Sequence, residues 1–179
     1  IKLMPVKVLE DASTTNALTT GFEGIKYASQ MGAHVILTAW STPNVSIEES
    51  KILSDAARAG AFVIGAAGNL GSETSMYPAA HADVLSVAGH VRDRRLPLSN
   101  YGQFVDISAS GDSIISISRG SESVVRSASG TSPASAVVAA VSAVLWAKFP
   151  AALPADIRAC LMATAKPLGN LDEFEQGRM

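Results

Sequence analysis

The chain has 179 residues, 47% hydrophobic and 17% charged, which suits one packed domain over 1–179 and is too apolar for a disordered chain. Fourteen basic against sixteen acidic residues give a net charge of −2 without a basic run, so composition indicates neither nucleic acid nor a membrane as partner. Cys160, the only cysteine, excludes an internal disulfide and is read as a small buried hydrophobe; no apolar stretch reaches the roughly 20 residues of a bilayer span, and no signal-like segment is recognised.

Along the chain, strands alternate with helices. Lys2 to Leu9 reads as an apolar strand, and Thr14 to Gln30 as a helix with Leu18, Phe22 and Ile25 at helical spacing, Thr15 or Asn16 as cap and Gly32 as stop. Ala33 to Thr38 is the next buried strand. Ile47 to Arg58 is a second helix with Ile52, Leu53 and Ala56 inward; Gly60 ends it and Phe62-Val63-Ile64 begins a third strand. Short strands follow at Val84 to Ala88 and Val105 to Ser108, then a hairpin from Ile114 to Ile117 and Ser123 to Arg126. Two helices close the pattern, Pro133 to Phe149 and Pro154 to Thr164. Such a β-α-β-α-β series predicts an α/β fold, a parallel sheet with helices on both faces.

Two short segments carry the chemistry. Gly130-Thr131-Ser132 stands immediately before an apolar helix, so the Ser132 hydroxyl is displayed beside backbone N–H groups at the positive helix end. The same tripeptide also reads as an ordinary helix cap. Ala66-Ala67-Gly68-Asn69 follows the Phe62 strand, at the carboxyl side where open parallel sheets gather ligands. Small residues there admit a substrate backbone, and an amide side chain can donate to a developing oxyanion; alone, Asn69 reads more readily as a turn asparagine.

Taken with Met4 to Leu9, Tyr77-Pro78, Val84 to Gly89, Ser99-Asn100-Tyr101-Gly102, Val105-Asp106-Ile107 and Gly130 to Ser135, these segments make the chain resemble the C-terminal two-thirds of a subtilisin-like serine peptidase domain. The resemblance runs over roughly residues 1 to 168, with Phe149-Pro150 and Ile157-Arg158 in the closing helices. It implies Ser132 as nucleophile, Asn69 as side-chain oxyanion donor and the Ser132 N–H as second donor, acting on a polypeptide substrate. It further implies that Ala39-Trp40-Ser41 and Ala66-Ala67-Gly68 flank the primary specificity pocket, one edge pairing with substrate as an added strand. No cofactor is required. A weak structural calcium or monovalent cation is implied at the carbonyls of Ala79, His81 and Val84, with Asp106 nearby. Extracellular action is implied by what relatives commonly do.

The departures matter as much. Ser41 stands where the family has glycine, Pro133 where it has methionine, Ala136 and Ser110 where it has proline. Neither the Asp-Ser/Thr-Gly strand end nor the His-Gly-Thr-His helix of the family occurs, and His34, His81 and His90, the only histidines, read as structural or solvated. The chain is therefore expected to be a fragment or cleaved piece, close to inactive alone, whose proton acceptor comes from an upstream Asp/His-bearing segment or a partner chain. In the family's strand order, the missing strand would leave a gap beside Ala33 to Thr38, to be filled by that segment, a partner or self-association. A non-catalytic interaction module keeping the fold and a peptide groove is the alternative. An α/β-hydrolase esterase fails on chain order, because no histidine follows Ser132. Asn44-Val45-Ser46 fits a glycosylation acceptor, a pattern too common to carry weight.

Overall fold

Gly32 and Gly60 punctuate the first half of the fold: both take a positive φ that stops a helix and turns the chain into a strand. The structure, a computed structural model, describes residues 1–9, 18, 20–117 and 125–168. Helix α1 covers Gly21–Gln30 and leads into strand β1, Val35–Thr38; helix α2, Ile47–Arg58, leads into β2, Phe62–Ala66. A capping box starts α2, with the Glu49 N–H donating to Ser46 Oγ and the Ser46 N–H returning to the Glu49 carboxylate. Beyond them lie β3 (Val84–Val91), β4 (Arg94–Arg95), β5 (Ile107–Ser110), β6 (Ile114–Ile117), β7 (Val125–Ala128), α3 (Thr131–Lys148) and α4 (Pro154–Thr164).

β1, β2, β3 and β5 run parallel in that order, and β4 folds back antiparallel on β3. Alternation along β2 divides the core. Phe62 and Ile64 meet Leu85, Val87, Ala134, Val138 and Trp146 under α3 and α4, whereas Val63 joins Phe22, Ile25, Ile36 and Leu53 under α1 and α2. With both faces covered, every residue of β2 is buried.

Several sequence expectations are corrected. Lys2 to Leu9 forms no strand and makes no ladder with β1, whose outer edge is unpaired among the described residues. It packs instead through Val6 onto the α1–α2 core, and Val8 lies so close to α1 that a side chain at Gly24 would overlap it. α1 begins at Gly21; the proposed cap residues Thr15 and Asn16 lie outside the described residues, as do Ser123 and Val124. In the hairpin, Ile114 pairs with Ala128. Cys160 is exposed, because Ile157 and Leu161 define the inner face of α4 and residue 160 falls off it. Finally, α3 is, among the described residues, long and apolar enough to cross a membrane by length and composition alone. Its apolarity has a local use, since the inner side packs across β1, β2, β3 and β5.

Candidate active site

The carboxyl ends of β1 and β2 release the chain at Ala39 and Ala67, and α3 begins beside them at Thr131. Asn69 and Thr131 lie 62 residues apart in sequence, and two hydrogen bonds join them: the Thr131 N–H and its hydroxyl both donate to Asn69 Oδ1, at 2.9 and 3.0 Å. A backbone N–H can only donate, so the amide oxygen must face Thr131 and Nδ2 is the end left over. The buried Thr131 hydroxyl also accepts the Gly68 N–H at 3.2 Å. Gly130 has φ of 141°, and a Cβ there would sit 3.2 Å from the Asn69 amide, so the close approach of the two loops depends on glycine. Ser132 follows in the first turn of α3. Its hydroxyl donates to the Ala39 carbonyl at 2.9 Å, drawing the end of β1 to the same place.

Comparison with known proteins places this geometry. The subtilase family model, Peptidase S8, matches residues 1–178. The chain belongs to the subtilase family. It is 33% identical over 177 residues to M-protease of Shouchella clausii (strain KSM-K16), covering 98% of this chain and 46% of that protein. It is 32% identical over 177 residues to Subtilisin Savinase of Lederbergia lenta, covering 98% and 65%. The chain thus spans from about half to two thirds of the length of these relatives. The crystal structure of a cold adapted subtilisin-like serine proteinase superposes with a TM-score of 0.80 at 23% identity, over 88% of this chain and 60% of that one, which shows the fold.

Within this subtilase, the residues expected to flank a specificity pocket are not equivalent. Ala39 and Ser41 are exposed, whereas Ala66, at the end of β2, and Ala67 and Gly68, which follow it, are buried. Trp40 turns to α1: its ring meets Phe22 edge-on at 5.2 Å and fills the space over Gly21. The adjoining Thr42 bridges to Tyr77 through two backbone bonds.

None of the three histidines is bonded to Ser132. His34 stacks edge-on against Trp146, His81 Nε2 meets the Ser50 hydroxyl at 2.9 Å, and His90 Nδ1 meets that of Ser108 at 3.1 Å. Burial holds the His90 imidazole below its ordinary pKa, with Asp93 opposing the shift. His81 accepts the Asp83 N–H on Nδ1, so its neutral ring carries the proton on Nε2, toward Ser50, and cannot take one from that hydroxyl.

Two of the cation donors implied by the resemblance are engaged by a side chain of the protein itself. Asp106 accepts the Ser86 N–H on one oxygen at 2.8 Å and Arg158 on the other at 2.6 Å. The Arg158 guanidinium also reaches the Val84 carbonyl at 3.3 Å, and the His81 carbonyl accepts the Val84 N–H. A positive side chain of the protein itself thus meets two of the named donors.

Thr131 is a residue of this site to which the sequence alone gave no task. It lies inside the quoted Gly-Thr-Ser motif, but its clamp on Asn69 depends on a contact across the fold.

Proposed function

We propose that this chain carries the nucleophile and oxyanion donors of a serine endopeptidase, and that a segment bearing Asp and His, upstream or on a partner chain, completes it. The observation that carries the reading is the double bond from Thr131 to Asn69 Oδ1, which leaves the Nδ2 donor beside the turn that presents Ser132. In this mechanism the Ser132 hydroxyl leaves the Ala39 carbonyl, gives its proton to the supplied base and attacks the substrate carbonyl carbon. The carbonyl oxygen becomes an oxyanion held by Asn69 Nδ2 and the Ser132 N–H, with the positive end of α3 behind it. Collapse breaks the C–N bond, the base returns the proton to the leaving amine, and water then hydrolyses the acyl ester. Substrate lies along Ala39, Ser41 and Ala66–Gly68. Without the base the chain is close to inactive, and the completed enzyme acts outside the cell.

The hydrogen bond from Ser132 to the Ala39 carbonyl favours a second reading, a non-catalytic module with a peptide groove, because a hydroxyl so engaged faces no base. Fluorophosphonate labelling separates the two. Ser132 is expected to label when an Asp/His-bearing subtilase segment is added and to label only slowly without it. No labelling under either condition removes the peptidase reading.

A further inference from the structure

Asn69 is exposed at the tip of a turn, a place where backbone normally has freedom. Yet the peptide groups on both sides of it are tied to a single residue. The Gly68 carbonyl accepts the Asn100 N–H at 2.9 Å, and the Leu70 N–H donates to Asn100 Oδ1 at 2.7 Å. The opposite end of the Asn100 amide donates to the Thr74 carbonyl at 3.0 Å, and its own carbonyl accepts the Ser99 hydroxyl at 3.0 Å. Asn100 is wholly buried, so these bonds are not exchanged with water. Gly68 permits the approach: with φ of 106°, a Cβ there would stand 2.7 Å from Asn100 Nδ2.

We infer that Asn100 is a positioning residue that fixes the backbone on both sides of Asn69 and so holds the Asn69 amide at the Ser132 turn. Two constraints then act on one group. Thr131 sets the side-chain orientation, and Asn100 sets the place from which that side chain departs. The inference rests on the proposed role of Asn69, and its importance follows from geometry, since an error of about 1 Å at a reacting group can cost ~10²-fold in rate. The sequence could show Asn100 only as part of Ser99-Asn100-Tyr101-Gly102, with no task attached.

The test uses the full 179-residue chain, labelled with ¹⁵N, and four variants: Asn100→Ala, Asn69→Leu, the two combined, and Leu53→Ala. Asn100→Ala is expected to speed exchange of the Leu70 amide and to loosen the Asn69 Nδ2 group in side-chain relaxation. It should also lower the rate of Ser132 labelling, with the supplied segment, by about 10- to 100-fold, an effect absent in an Asn69→Leu background. Leu53→Ala, in the core under α1 and α2, should lower the melting temperature while leaving both amide signals in place. An unmoved Asn69 signal in Asn100→Ala, or an equal movement in Leu53→Ala, overturns the inference. Should Asn100→Ala not fold, Leu70 exchange in the unmodified chain decides, because exchange at the rate of a free peptide means that the hold on Asn69 does not exist. Failure of Ser132 to label at all would strike the peptidase reading, whereas the amide signals would still report on Asn100.

Discussion

The turn around Asn69 and the open edge at β1 lie at the same end of the sheet and are built on opposite terms. Around Asn69, Gly68, Leu70, Asn100 and Thr131 are linked by hydrogen bonds inside the chain, so the donor is placed by residues the chain already contains. At β1 the ladder runs, among the described residues, only to β2; Leu37 is 40% exposed, and Ile1 and Leu3 are 77% and 91% exposed. A bare edge and an exposed apolar segment are what a chain presents where something else is to pair or pack. The oxyanion side of the proposed chemistry is thus preorganised, and the proposed enzyme takes its base from an added segment.

Replacing Asn69 by Leu strikes the preorganised side most directly. In a completed enzyme, kcat is expected to fall by ~10²- to 10³-fold with little change in KM, a size known for subtilisin itself and borrowed rather than calculated from this geometry. A fall in kcat/KM carried by KM alone would mean that Asn69 binds substrate without stabilising the transition state. Thr131→Val keeps the shape and removes the hydroxyl. The buried Gly68 N–H then loses its acceptor, costing about 1–3 kcal/mol, and Asn69 Oδ1 keeps only the Thr131 N–H. Ser132 labelling should slow by roughly 10-fold, for an added barrier of about 1.4 kcal/mol. If thermal denaturation detects the loss and labelling does not, the Thr131 hydroxyl serves the fold and not the site.

What the sequence made legible follows the same division. Helix α2 matched its expected bounds because its limits are local: helical spacing of apolar residues within it and a glycine just beyond its end, to which the structure adds a capping box at Ser46. The two faces of β2 and the meeting of residues 69 and 130–132 were readable from order and motif. Lys2 to Leu9 was misread because an apolar run says that a segment can be covered and not whether a ladder or a helix face covers it; here Val6 packs on the α1–α2 core. Trp40 was placed with substrate by motif alone; its packing depends on Gly21 and Phe22, a contact between elements that spacing does not encode. The pairing of Asp106 with Arg158 was hidden for a like reason, since Arg158 arrives from α4, 52 residues further on.

The smallest expected effect tests whether acid loosens the interior of the sheet away from β1. His90 lies on β3 with its Nδ1 at Ser108 of β5, and burial depresses its pKa from 6.5. A histidine held neutral in the fold costs nothing while the unfolded chain is also neutral. As pH falls through 6.5 toward the depressed value, the unfolded chain takes a proton that the folded chain refuses, and stability is lost. Chemical denaturation of the parent and of His90→Asn should therefore run in parallel above about pH 7 and diverge below it, the parent losing stability faster. Asp93 raises the His90 pKa and so moderates the loss. Asp93→Asn should steepen the acid-side decline, and this extra slope should vanish when His90 is also replaced. Identical slopes in all four proteins would show that the ring is hydrated in solution, and that the β3–β5 side is no more closed to water than the bare edge at β1.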